Sequence, residues 1–314
     1  MKAFGLKVLV FALLLSGTYY VMIDKLSKGY VDIYYNKCTE EAGSLFIGIS
    51  RAQQGLSPEV FEKQLNTKGF DEPLLNFAFN SYESPYGEAY LKAIKKKLKS
   101  NTNNGLFILS VTPGSFVDFF TNEKDIQKME KKSIVGKVSD FTSNPNYNYI
   151  MKCYGFALYN IFGEDYKWEN LTTHSNGWNE VKIKNGPQKL SEEEMEAWAL
   201  ETIYSNKKRA RTERISAYRI NSFVETINYL KQRGSVYIVR LPADSRLIAL
   251  ENKYWKNFDK EMDSISQFNG VQYLNYSIDS EYFKSYDGSH LTSESAKKVS
   301  ELISKDILNK EPVF

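Results

Sequence analysis

The longest apolar run in the chain is also its first. It extends from Val8 to Ile23, behind Lys2 and Lys7, and Asp24 and Lys25 close it. Counted from Ala3, it carries one charge over about 20 residues, roughly what a helix needs to cross a bilayer's hydrocarbon core. Residues 1–23 therefore predict a transmembrane helix, and the leading lysines place the N-terminus in the cytoplasm and the rest outside. A cleaved signal peptide would use the same run. No A-x-A site follows, and the run ends in bulky Tyr19, Tyr20, Val21 and Met22, which favours an uncleaved signal-anchor.

Beyond the anchor, residues 24–43 are rich in Tyr and charge and read as a juxtamembrane stalk. Short apolar runs bounded by turn formers then alternate with segments of helical period. Residues 44–50, 74–79, 105–111 and 235–241 have the unbroken hydrophobicity of strands buried on both faces. Residues 88–99 place Leu91, Ile94 and Leu98 on one helical face, and 292–309 carry a stripe of Ala296, Val299, Leu302, Ile303 and Ile307. Two further helices are expected over 191–211 and 213–233, the first opened by a Ser191/Glu194 capping box and the second closed by Gly234. Another is expected over 245–267. Residues 120–190, polar and rich in Asn, Gly and aromatics, read as an insertion. Alternating strands and helices predict an α/β domain over 44–314 with a mostly parallel sheet.

Composition changes this picture little. Among 314 residues, 42% are hydrophobic and 25% charged, which excludes disorder as the default. The net charge is only +3, and no basic stripe with interleaved aromatics stands out, so no nucleic-acid partner is expected. The 22 Tyr and 19 Phe serve packing first, and some could line a carbohydrate groove. Cys38 and Cys153 are the only cysteines: export would permit a disulfide, and two separate thiols fit the spacing equally well. With no Cys-x-x-Cys and two histidines, no metal site is expected.

Scarcity of histidine narrows the candidate chemistry. Only His174 and His290 could activate a serine. His174 lies in the polar insertion and reads as a surface-loop histidine within reach of a substrate at most. His290 stands just before the last helix, and Asp287, three residues earlier, could fold back through Gly288 to hold one ring nitrogen and stabilise the imidazolium. Ser50, after Gly48 at the end of the first strand, would present its hydroxyl where sites gather in parallel sheets, with backbone N–H groups to stabilise an oxyanion.

The stretch Ile47, Gly48, Ile49, Ser50, Arg51 resembles a divergent first block of the SGNH (GDSL-like) hydrolase superfamily, with G-x-S-R in place of G-D-S. Asp287, Gly288, Ser289, His290 and Leu291 are similar to its last block. The resemblance spans about residues 44–308. It implies an SGNH-like (flavodoxin-like) three-layer α/β/α fold and a triad of Ser50, Asp287 and His290 that needs no metal or organic cofactor. The second block is represented by Asn76 to Ser81, and Asn76, Asn80, Ser81 and Arg51 are the candidates for oxyanion or substrate contacts. The third block, usually G-x-N-D, is present only as Ser110 to Gly114 and lacks its Asn. With the anchor, the resemblance also implies an envelope protein at the cell membrane, facing outward. Its expected partner molecules are an acylated polysaccharide and a multipass membrane acyltransferase.

Overall fold

The computed structural model describes residues 2–158, 161, 168–184 and 189–309. Its first element is α1 (Lys2–Ser27), of which only Ile23 and Leu26 are buried. At ~1.5 Å per residue it is long enough to span a bilayer, and it is apolar enough to do so. The residues after it do not form a stalk. Val31, Tyr35, Cys38 and Ala42 enter the main core, and Lys37 is buried with its ammonium on the carbonyls of Asn76 and Gly177. The charges of this stretch suggested a tether, but its apolar members are what dock it on the domain.

Five parallel strands form the central sheet: β1 (Ser44–Ile47), β2 (Leu74–Asn76), β3 (Gly105–Ser110), β8 (Gly234–Arg240) and β9 (Gln272–Asn275). Their order is β2-β1-β3-β8-β9. Register pairs include Leu45 with Leu75, Phe46 with Ile108 and Ile108 with Tyr237. Strand alternation splits the core in two. Leu45, Ile47, Phe107 and Leu109 face α4 (Glu88–Lys97), α9 (Ala217–Lys231) and α11 (Phe258–Phe268). Phe46, Ile108 and Val239 face α2 (Ser50–Gly55), α3 (Pro58–Leu65) and α12 (Ser293–Asn309). The result is a three-layer α/β/α domain. In the sheet's own sequence the order is 2-1-3-4-5, which reverses direction between β1 and β3 and opens a crevice at their C-terminal ends.

Several boundaries differ from expectation. The helix expected over 245–267 breaks at Trp255 into α10 (Ser245–Tyr254) and α11. Gly234 opens β8 instead of capping a helix; it faces Gly105, whose backbone leaves no room for a Cβ. The insertion is longer than 120–190. The two-residue strands β4 (Val117–Asp118) and β7 (Arg214–Ile215) pair antiparallel and close its neck, so that α8 (Glu192–Thr212) belongs to it.

Inside the neck, the short helices α5 (Glu123–Glu130), α6 (Ile134–Lys137) and α7 (Tyr147–Cys153) are each capped by an Asn or Ser side chain. This explains why their sequence looked irregular. The hairpin of β5 (Leu171–Thr173) and β6 (Asn179–Val181) covers the open edge of β2, where the Asn76 N–H donates to the Asn176 carbonyl at 2.8 Å.

Candidate active site

The crevice between the C-terminal ends of β1 and β3 is a cleft of about 480 Å³. Ser50, Asp287 and His290 all line it. Ser50 is the first residue of α2, so its N–H and that of Arg51 have no acceptor within the helix. Gly48 makes this turn possible: its φ is +147°, and a Cβ there would meet the Ser110 carbonyl at 3.0 Å. The Gly48 carbonyl accepts a hydrogen bond from Ser84 Oγ at 2.7 Å, and its N–H donates to the Tyr90 hydroxyl at 3.2 Å.

Residues 286–290 form a tight turn whose innermost hydrogen bonds are its own. The Tyr286 N–H donates to the His290 carbonyl at 3.0 Å. Asp287 Oδ1 accepts the N–H groups of Ser289 and His290 at 2.9 and 2.8 Å, while Oδ2 lies 2.7 Å from His290 Nδ1. Burial by itself raises the Asp287 carboxyl. The His290 charge, the ring hydrogen bond and the two N–H donors outweigh it and hold the acid below its ordinary value. Tyr286 stacks on the His290 ring at 6.1 Å and donates its hydroxyl to Gln54 Oε1 at 3.0 Å, which ties the turn to α2. His290 Nε2 is buried without a hydrogen-bond partner, so no bond joins it to Ser50 in this conformation.

Arg51, expected near substrate, lies at the cleft but is already engaged. It is buried, pairs with Glu251 at 2.7 Å and donates from Nε to Ser289 Oγ at 3.3 Å. Glu251 also meets Arg240 at 3.1 Å. Asn76 and Asn80 lie outside the cleft lining. The Asn76 amide donates to the Ala52 and Leu56 carbonyls at 2.8 and 3.1 Å, closing the end of α2, and its Oδ1 accepts the Ala78 N–H. Asn80 bonds the Tyr34 hydroxyl and caps the turn at Tyr82. Both amides are therefore corrected from oxyanion candidates to structural braces. Ser81 does line the cleft.

Residues that sequence reasoning missed complete the walls. After β3, Thr112 and Gly114 line the cleft. The Thr112 N–H donates to Ser115 Oγ at 3.1 Å and its hydroxyl oxygen accepts the Ser115 N–H in return, a capping box that leaves the hydroxyl proton as a candidate donor to an oxyanion. From α8 come Trp198, Glu201, Thr202, Ser205, Asn206 and Arg209. Their i, i+3, i+4, i+7 spacing was visible as a polar stripe beside the apolar Met195, Ala199 and Ile203, and it was readable as a solvated face. Gly288 seats the His290 turn on this helix, where a Cβ would meet Ala199 Cα at 3.0 Å.

His174 lies elsewhere. Its Nε2 is 2.8 Å from Glu180 and its ring stacks on Trp178 at 5.0 Å, which bridges the hairpin to α12 through the Lys297–Glu180 pair. Cys38 and Cys153 are free thiols. Among the described residues, no three His, Cys, Asp or Glu side chains cluster as metal ligands would. No protein-family model matches the chain, and no curated protein matches it.

Proposed function

We propose that this chain is a divergent, membrane-anchored SGNH-type serine esterase or acyltransferase, acting outside the cytoplasm on acyl groups of a cell-envelope polysaccharide. One observation carries the chemistry. His290 lines the same cleft as Ser50, holds a carboxylate at Nδ1 and keeps a buried Nε2 without a hydrogen-bond partner. That is the arrangement of a general base whose tautomer is set by an acid and whose free nitrogen takes the nucleophile's proton. Ser50 then attacks the ester carbonyl and the imidazolium returns the proton to the leaving alcohol. Water or a sugar hydroxyl resolves the acyl-enzyme. The 2-1-3-4-5 sheet, with Ser50 after β1 and the Asp/His pair just before α12, supports the SGNH assignment. Trp198 and the polar stripe of α8 suit a polyhydroxylated substrate, and α1 suits an anchor.

A fluorophosphonate probe tests the proposal: covalent labelling of the full chain is expected, lost in Ser50→Ala and His290→Ala. Folded wild-type protein that resists the probe would sink it.

A second reading, an SGNH scaffold that binds glycan or a membrane partner without catalysis, draws on two features. Ser50 and His290 are not hydrogen-bonded, and the Asn76 and Asn80 amides are engaged elsewhere. It is favoured if glycan binding survives in Ser50→Ala while wild-type protein shows no esterase turnover.

A further inference from the structure

The end of α1 does not leave the domain free to swing. Tyr147, the first residue of α7, donates its hydroxyl to Asp24 at 3.0 Å, and its ring lies 5.9 Å from that of Tyr20. Tyr20 lies one helical turn inside Asp24, still within the apolar run, so α7 begins at the depth where that run meets water. Along α7, Met151 follows Tyr147 at i+4 on the same face, and the half-buried Tyr154 ends the helix just beyond it. Met151 is 58% exposed. Just beyond, Phe156 is 61% exposed and packs its ring against Tyr154 at 5.7 Å. Gly155 and Ala157 are exposed as well. Exposed apolar side chains thus continue directly from the anchor across the domain surface.

The rim of this strip is basic. Lys96 and Lys152 converge on Ser139, through its carbonyl and its hydroxyl, and exposed Lys137 stands two residues away. The carboxylates beside them among the described residues are already engaged: Asp140 takes the hydroxyl and N–H groups of Thr142 and Ser143, and Glu83, near Lys137, takes the Ile134 N–H.

We propose that α7 and the segment through Phe156 form a second membrane contact, a foot that enters the headgroup region of an anionic bilayer beside α1. Apolar side chains on one side and lysines around them are what such an interface binds. The inference rests on α1 being a membrane span. The foot gives that span a fixed orientation to the domain and holds the domain against the lipid.

Photo-cross-linking of the full chain in phosphatidylglycerol-containing nanodiscs tests it. Benzoylphenylalanine replaces Phe156 or, as a control, Phe268, which is 90% exposed on α11, the helix packed against the edge strand β9. Lipid adducts at position 156 are expected in several-fold excess over position 268, reduced by Lys152→Glu in anionic discs more than in phosphatidylcholine discs. Equal yields at the two positions, or adducts to a second copy of the chain, overturn the foot. A Lys152→Glu effect that is the same in both lipids overturns its anionic preference. Release of the protein from membranes by alkaline carbonate overturns the span itself and the foot with it. Retention with an unlabelled position 156 overturns the foot alone.

Discussion

The two halves of the candidate site are built in opposite ways. Asp287 and His290 are three residues apart, and the hydrogen bonds that hold the acid against the imidazole come from residues 286–290, while Gln54, Arg51 and Asp244 only tie the finished turn to its surroundings. Ser50 has no such local frame. Its surroundings come from Ser110 at the end of β3, Ser84 and Tyr90 behind Gly48, Glu251 on α10 and a helix from the insertion. A turn that folds on itself pays little loop-closure entropy. A serine pocket assembled across about 200 residues exists only when the whole domain is packed. The local half should therefore tolerate distant change, and the assembled half should not.

The largest expected effects come from breaking the local half itself. On the proposed function, Asp287→Asn should keep the fold and lower esterase turnover by about 10⁴-fold, because the amide no longer fixes the imidazole's tautomer. Steady-state kinetics with an activated acetate ester measure it, and a loss under ten-fold would mean that His290 does not act as the base.

On the assembled side, Arg51→Ala removes a buried partner of Glu251, which keeps Arg240. Stability should fall by about 3 kcal/mol, the low end for a broken buried pair, seen as a lower denaturant midpoint. Turnover should fall with it under native conditions, since the Nε donor to Ser289 is lost. An unchanged midpoint would show that the two halves are held together by something else.

Thr112→Val keeps the shape of the cleft and deletes one hydroxyl. If that hydroxyl meets the oxyanion, turnover falls by about 10²-fold, well beyond what the loss of roughly 1 kcal/mol of stability from its cap on the Ser115 N–H would cause. No change would move the role to the N–H groups around Ser50 or Ser81.

The smallest effect is a pH slope that only the assembled framework should carry. Burial lowers the Lys37 ammonium to about 7 and that of Lys97 to about 8, from an ordinary 10.5. In the unfolded chain both stay protonated to higher pH, so the unfolded state binds more protons and stability rises from pH 7 upward. Above about 9 the Cys38 thiol, raised by burial, opposes this. The melting temperature should therefore climb between pH 7 and 9, and Lys37→Met should flatten the climb. A fall over that interval would contradict the burial of these ammonium groups.

Much of this was legible in the residues. The apolar run of α1, the strands β1, β3 and β8, the Ser191/Glu194 cap, where the two groups bond at 3.1 and 2.8 Å, and the Asp287/His290 pair are all encoded within a few residues. Strand β9 was not legible, because Gln272 to Asn275 reads as polar, and the sheet edge places it where its outward side chains stay wet. Nor was α3, whose short apolar pattern around Phe61 and Leu65 becomes a face only against α12.

Sequence by itself determined what depends on local spacing: which segments are apolar enough to be strands or a span, and that an acid and an imidazole meet before the last helix. Tertiary structure alone decided what depends on distant partners. It turned Asn76 into a brace for α2, drew Arg51 onto Glu251, folded the expected stalk into the core, and made one polar stripe of α8 a wall of the cleft and not a solvated face. The reason is physical: a side chain's hydrogen-bonding capacity is written in its residue type, but which group uses it depends on what packing brings within about 3 Å.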